Sequence, residues 1–237
     1  MSTGATRIIA LDGPSGSGKS TVARRVATQL GWRYVDTGAS YRAATLAVLR
    51  AGVDLEDSDA VLTVVRASRI ELSTDPQRPA TLLDGEDVGE IIRGPEVTSA
   101  VSAVSAVAAV RAHLVDLQRT LAGDGGAVLE GRDIATAVMP DAVVKVYLDA
   151  SPEVRAGRRA GEQLAGASAG GAPGGHYPSS LASVADDLAR RDHLDSSRTA
   201  DPLRAAPDAV HLDSSELDAD AVVEHVLRLV RDAGLLP

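Results

Sequence analysis

Cysteine and phenylalanine are absent from the 237 residues, and only one tryptophan and four tyrosines are present. Without thiols there is no disulfide and no thiolate metal site, which fits a reducing compartment. So few aromatic faces leave little for the bases of a single-stranded nucleic acid to stack on. A basic surplus is missing too. The 24 Lys and Arg stand against 33 Asp and Glu, a formal charge of −9, so the broad basic face that holds a polyanion is not expected. A small anionic ligand held by a few converging arginines remains compatible with that balance. No apolar run reaches the ~18 residues of a membrane span, and the residues ahead of the first apolar stretch are few, small and polar, unlike a signal peptide. The five histidines, His113, His176, His193, His211 and His225, form no metal-ligand spacing. The expectation is a soluble, cytoplasmic protein that binds no membrane and no polymeric nucleic acid. Its 44% hydrophobic content suffices for one full core, as one domain or one domain with insertions.

Lysine is nearly absent as well: only Lys19 and Lys145 occur, the other basic residues being arginine. Lys19 follows a glycine-rich turn. Ile8-Ile9-Ala10-Leu11-Asp12 is apolar up to its end, Gly13-Pro14-Ser15-Gly16-Ser17-Gly18 follows, and Lys19-Ser20-Thr21 leads into Val22, Val26 and Leu30 at helical spacing. Strand, turn, helix is the context in which Gly13-x4-Gly18-Lys19-Ser20 reads as a nucleotide phosphate loop, with residues 13–21 holding ATP. Glycine lets the backbone approach an anion with φ > 0, and the helix N-terminus adds its dipole and free N–H groups. Lys19 would reach the β- and γ-phosphates, and the Ser20 hydroxyl would ligate Mg²⁺.

Along the chain, short apolar strands alternate with helical patterns. The first helix stops at Gly31, and Trp32 to Val35 is a strand closing on Asp36-Thr37-Gly38. A helix is expected from about Ala39 to Arg50, and another capped by Asp57-Ser58-Asp59. From Arg69 to Ile92 the period changes to 2 around the turn signal Asp84-Gly85, which reads as a small β-ribbon. Pro95-Glu96 opens two consecutive helices that end at Gly123. Ala127 to Glu130 and Val143 to Leu148 are buried strands, the second followed by a helix from Ser151-Pro152-Glu153. The Gly, Ala, Ser and Pro of residues 161–180 read as a mobile lid or loop. Leu181 to Leu194 is helix, Ala209 to Asp213 a last strand, and Asp218 to Arg231 a terminal amphipathic helix. This alternation predicts an α/β fold, a parallel sheet covered by helices, with ligands beyond the strand C-termini. Asp12-Gly13, Asp36-Thr37-Gly38, Glu130-Gly131-Arg132-Asp133 and Asp149 all sit at those ends.

Four separated motifs carry a family resemblance: residues 13–21, Asp36-Thr37-Gly38-Ala39-Ser40-Tyr41-Arg42, Gly131-Arg132-Asp133-Ile134-Ala135-Thr136, and Arg191-Asp192 with Asp195, Arg198 and Pro202-Leu203. In type, order and rough spacing they resemble the bacterial cytidylate kinases, from about residue 7 to residue 230. The resemblance implies the P-loop NTPase fold in one domain over 1–237, with its core at about 7–60, 123–155 and 205–237. A β-ribbon and helical insert that binds the nucleoside monophosphate would span about 61–122, and a lid about 156–180. It implies transfer of the ATP γ-phosphate to CMP or dCMP with Mg²⁺, by a monomer. Arg42, Arg132 and Arg198 would clamp the acceptor phosphate, with Thr37 beside them, and Arg191 and Asp195 would hold the ribose. Ser102, Arg111 and Asp133 would read cytosine, while Arg155, Arg158 and Arg159 would come down with the lid onto the donor phosphates. Lys19, Arg132, Arg158, Arg159 and Arg191 are the implied catalytic cations.

Residues 161–180 depart from the charged, arginine-bearing lid helix that the resemblance leads one to expect. Other readings stay open at this level. One is a kinase of the same fold acting on uridylate, adenylate, shikimate or a coenzyme precursor. Another is a nucleotide-dependent switch or motor ATPase, although no Asn-Lys-x-Asp guanine signature and no apolar strand ending in Asp-Glu occurs. A lone arginine on a helix is ordinarily a solvated surface residue, Ser102 among Val and Ala is ordinarily a packing residue, and Asp133 could simply cap a helix.

Overall fold

The computed structural model describes residues 7–168 and 180–236. Five parallel strands form the central sheet: β1 (Ile8–Asp12), β2 (Arg33–Asp36), β6 (Ala127–Gly131), β7 (Val144–Asp149) and β8 (Val210–Asp213), in the order β2-β6-β1-β7-β8. Every residue of β1 and β6 is buried, as strands covered on both faces must be. The register sets Asp12 opposite Gly131 and Tyr147, and Asp36 opposite Glu130. The polar strand ends therefore gather along one edge of the sheet.

Helices α1 (Lys19–Leu30) and α8 (Ala219–Asp232) close one face, where Val22, Val26, Val223 and Val226 pack on Ile9, Leu11 and Val146. The other face is covered by α5 (Ala108–Ala122) and a π-helical turn, Ile134–Val138, through Val115, Ile134 and Val138 packed on Ile8, Ala10 and Leu129. Each such fully buried aliphatic contributes about 1.5–3 kcal/mol through the area it removes from water. A separate core lies in the insert. There α2 (Thr37–Ala51), α3 (Ser58–Ala67) and α4 (Pro95–Ala106) enclose Val48, Val65, Val104 and Leu114. The antiparallel ribbon β3 (Ile70–Leu72), β4 (Thr81–Leu83) and β5 (Glu86–Asp87) adds Ile70 and Leu83 to it. Asp84 and Gly85 both have positive φ, 53° and 87°, which makes the tight hairpin between β4 and β5. No single described helix is long and apolar enough to cross a membrane.

Several boundaries differ from the sequence reading, the helix from Leu181 running on past Leu194 to Ser197 among them, and two have a local cause. Helix α2 begins at Thr37 rather than Ala39, because Asp36 is its cap, its carboxylate accepting from the Ala39 N–H at 2.9 Å. Helix α6 (Pro152–Ser168) runs into the stretch expected to be loop, whose first half is rich in alanine, the best helix former, and free of proline. The rest of that expected loop, residues 169–179, lies outside the described residues. Helix α7 (Leu181–Ser197) packs on α6 through Ala156, Val184 and Leu188.

Candidate active site

The turn from β1 to α1 is shaped by close approach. Gly13 has φ 150°, and a Cβ there would stand 2.0 Å from the Leu148 carbonyl oxygen; Gly16 has φ 79°, and a Cβ would meet the Arg155 carbonyl oxygen at 2.8 Å. Neither position tolerates a side chain. Gly18, at φ 92°, precedes the first helical residue, Lys19. Lys19 is only 5% exposed, and its ammonium donates to the Pro14 carbonyl at 2.7 Å and to Ser17 Oγ at 3.3 Å. Burial, reinforced by the Arg132 guanidinium, pushes Lys19 down to about 7. The Ser20 hydroxyl donates to Glu130 Oε1 at 2.6 Å, and the Tyr34 hydroxyl donates to the same oxygen at 3.2 Å. Glu130 is buried, and desolvation raises its carboxyl above the usual range. Asp12, at a strand end, is turned to structure: it accepts from the Ile134 and Ala135 N–H groups at 2.7 and 2.8 Å and so ties β1 to the π-helical turn. Burial pushes its pKa up to about 6.

Beyond the sheet edge lies a cavity of about 220 Å³. Eight cationic and five carboxylate side chains line it, an excess of positive charge in a chain whose formal charge is −9. Of the residues expected at the site, Ser15, Gly16, Gly18, Lys19, Ser20 and Thr21 border it from the loop. Thr37, Arg42, Ser102, Arg111, Arg132 and Asp133 border it from the sheet edge and the insert, and Arg159, Arg191, Asp195 and Arg198 from α6 and α7. A bend of 100° between α4 and α5 brings Ser102 and Arg111 to the same wall.

The cations are held by the chain itself. Arg42 Nη1 donates to the Ile92 carbonyl at 3.0 Å and to Thr98 Oγ1 at 2.9 Å. Arg132 Nε donates to Asp195 at 3.1 Å and its Nη1 to the Gly13 carbonyl at 3.1 Å, so this side chain spans both halves of the site. Arg198 Nε donates to the Asp201 carbonyl at 2.7 Å. Arg191 Nη1 reaches Ser15 Oγ at 3.5 Å, while its buried Nε has no hydrogen-bond partner among the described residues. Burial and mutual repulsion push Arg42 down to about 9 and Arg191 to about 10. Guanidinium groups crowded until their charged form is disfavoured gain most from an incoming anion.

At the far wall, Arg111 is 1% exposed and donates from Nη2 to Asp133 and from Nε to Asp201, the latter at 2.9 Å, with its guanidinium 5.3 Å from the centre of the Tyr41 ring. Arg198 Nη2 stands 3.5 Å from the other oxygen of Asp133. Burial pushes the Asp133 carboxyl up, and the Arg111 and Arg198 guanidinium groups oppose that shift without cancelling it. The Thr37 hydroxyl donates to the Glu130 carbonyl at 2.7 Å and so shapes the wall.

Two of the arginines expected over the donor phosphates bond the backbone of the loop and do not line this cavity. Arg158 does not line this cavity: it donates to the Ser17 carbonyl at 3.1 Å, to Ser214 Oγ at 2.9 Å and to the Ser214 carbonyl at 2.7 Å. It borders instead a second cavity of about 410 Å³, with Gly18, Thr21 and Leu217. Arg155 donates to the Ser15 carbonyl at 3.1 Å. Sequence reasoning places Glu130 at a strand end and Tyr41 in a motif but gives neither a role, and it does not name Arg93; all three are at the cavity. Glu130 carried a signal, a carboxylate closing a buried apolar strand, whereas Arg93 has none; it reaches Asp36 at 3.2 Å across 57 residues.

The family model described as cytidylate kinase matches residues 9–232. A cytidylate kinase of Geobacillus kaustophilus (strain HTA426) is 47% identical over 224 residues, covering 94% of this chain and 96% of that protein. One of Rhodococcus opacus (strain B4) is 53% identical over 233 residues, covering 98% and 97%. One of Nocardia farcinica (strain IFM 10152) is 51% identical over 231 residues, covering 97% and 96%.

Proposed function

The chain belongs to the cytidylate kinase family, and from that premise we propose how its crevice works: it transfers the γ-phosphate of ATP to CMP or dCMP. An oxygen of the acceptor phosphate attacks the γ-phosphorus, the bond to the β–γ bridging oxygen breaks on the opposite side, and ADP leaves with that electron pair. The attacking oxygen is already anionic, so no general base is needed. Catalysis is then alignment and neutralisation of spreading charge.

The residues divide the work. The backbone of residues 13–21, apart from the Ser15 N–H that Asp192 holds, cradles the donor phosphates, and Lys19, released from Pro14, moves onto the β- and γ-oxygens. The donor base takes the cavity between Arg158 and Leu217, next to Thr21. Arg42, Arg132 and Arg198 grip the acceptor phosphate, for which planar guanidinium forks are suited. Arg191 and Arg159 lie between the two phosphates, and Asp195 with Arg191 takes the ribose hydroxyls. Ser20 Oγ and the Glu130 carboxylate, 2.6 Å apart, are hard oxygen donors that fit Mg²⁺ arriving with ATP. When bound, the ion supplies further neutralisation of the β- and γ-phosphates.

The single observation that supports this reading best is the convergence of Arg42, Arg132, Arg191 and Arg198 opposite Lys19, with the Asp133 carboxylate at the far wall. Cytosine presents its N4 amino group as a donor where uracil presents an acceptor, and a carboxylate accepts only the first. A coupled ADP-release assay with ATP and Mg²⁺ across CMP, dCMP, UMP, AMP and shikimate tests it. CMP and dCMP should turn over fastest, UMP more slowly, and AMP and shikimate hardly at all. Faster turnover of AMP or shikimate than of CMP would reassign the acceptor.

A further inference from the structure

We propose that Asp192 and Arg155 form a positioning clamp on Ser15 that fixes the separation between the donor loop and α7, the helix that brings Arg191 and Asp195 to the acceptor side; the inference rests on the kinase reading above. Ser15 is the tip of the loop, flanked by a proline on one side and by Gly16 with φ 79° on the other. Both of its backbone polar groups are taken. Its N–H donates to Asp192 Oδ1 at 3.3 Å, and its carbonyl accepts from Arg155 Nη1 at 3.1 Å. The two clamping side chains are themselves joined, Arg155 Nη1 to Asp192 Oδ2, and are 12% and 17% exposed. Arg155 Nε donates to the Ala150 carbonyl at 3.1 Å, which anchors the pair just past the end of β7.

Neither Asp192 nor Arg155 lines the cavity, so neither has a direct part in holding ligand there. The neighbours of Asp192 do: Arg191 and Asp195 on α7, and Arg198 just past its end, all line it. One helix therefore carries part of the acceptor site, Arg191 and Asp195 with Arg198 at its end, and, through Asp192, the grip on the donor loop. Helix α6 lies directly on the same loop, since a Cβ on Gly16 would meet the Arg155 carbonyl oxygen at 2.8 Å and Arg155 Cβ at 3.1 Å. In-line transfer needs the reacting atoms within about 3–3.5 Å, and a displacement of about 1 Å costs roughly 10²-fold in rate. The clamp is placed to set that distance from the protein side, without touching either substrate.

The test is the steady-state kinetics of full-length Asp192→Ala, Arg155→Ala, the double variant and Asp192→Asn, with ATP and CMP each varied against a saturating partner. Each alanine variant should lose roughly 10- to 100-fold in kcat while both KM values stay within about threefold. The double variant should be no worse than the poorer single one, because both act through Ser15. Asp192→Asn keeps an acceptor for the Ser15 N–H and loses the charge that pairs with Arg155. Its kcat should fall only about 3- to 10-fold, and it decides the case alone if the alanine variants do not fold. Wild-type kcat in Asp192→Asn, losses expressed in the KM for ATP, or additive losses in the double variant would each overturn the clamp. A wild-type protein that fails to turn over CMP would instead overturn the kinase reading.

Discussion

The donor loop and the acceptor crevice lie side by side and are built by opposite means. The loop is contiguous, residues 13–21, and its shape comes from backbone conformation: three glycines at φ 150°, 79° and 92° and the start of one helix. The crevice draws its charged groups from α2, α5, α6, α7 and the end of β6, up to 156 positions apart from Arg42 to Arg198. Before any nucleotide is bound, the loop's lysine is held by its own turn, through Pro14 and Ser17, while Arg111 and Arg132 are held by distant groups, Arg111 by Asp133 and Asp201 and Arg132 by Asp195 and the Gly13 carbonyl. A local backbone site is preorganised by covalent geometry. A long-range site of side chains is preorganised by exchanging internal partners for the ligand's phosphate, and so its specificity depends on those partners.

The largest effect should come from the loop. Lys19→Ala removes the cation that meets charge developing on the transferring phosphoryl group, and kcat should fall by at least ~10²-fold. Unimpaired turnover in that variant would end the phosphate-loop reading.

The next effect belongs to the crevice. Asp133→Asn offers an N–H toward uracil O4 and weakens the hold on Arg111 and Arg198, so absolute CMP activity should drop. The ratio of kcat/KM for CMP over UMP should shrink by roughly 10- to 100-fold, the value of one buried polar match of 1–3 kcal/mol. Equal losses for both nucleotides would leave base reading to Ser102 and Arg111.

The third separates the regions by pH. Lys19, lowered from the usual 10.5 to about 7, is charged below that pH and neutral above it in the free protein, and phosphate favours the charged form. As pH rises from about 7 to about 9, ATP binding must take up a proton, and the KM for ATP should climb by up to roughly tenfold per pH unit. The acceptor cations are arginines, with Arg42 down only to about 9, so the KM for CMP should stay flat until that pH. A rise in the KM for CMP that tracks the one for ATP would contradict the division.

What was legible in the sequence follows the same line. Strand, glycine turn and helix announce the loop because the constraint and the residues that meet it are neighbours. The sheet, the ribbon and the consecutive helices could be read from periodicity and turn residues for the same reason. Helix α6 was cut short in that reading because its small residues suit a loop by composition and a helix by propensity. Arg155, Arg158 and Arg159 look equivalent along the chain. The turn of α6 sends Arg155 and Arg158 to the backbone of the loop and Arg159 into the cavity, where it also pairs with Glu162 at 3.1 Å. Nothing local marks Arg93 or the second carboxylate, Asp201, on Arg111, because the partners that give each its place are 57 and 90 residues away.

The division between loop and crevice is tested most directly by calorimetric titration of Lys19→Ala and Arg42→Ala with each nucleotide separately. Arg42 is the cleaner partner for Lys19, since its hydrogen bonds go to Ile92 and Thr98 in the insert and none to the loop. Arg42→Ala should bind ATP as the wild type does and lose roughly tenfold or more in CMP affinity, the loss of one charge-assisted contact. Lys19→Ala should keep its CMP affinity. A CMP defect in Lys19→Ala, or an Arg42→Ala defect confined to ATP, would contradict the account.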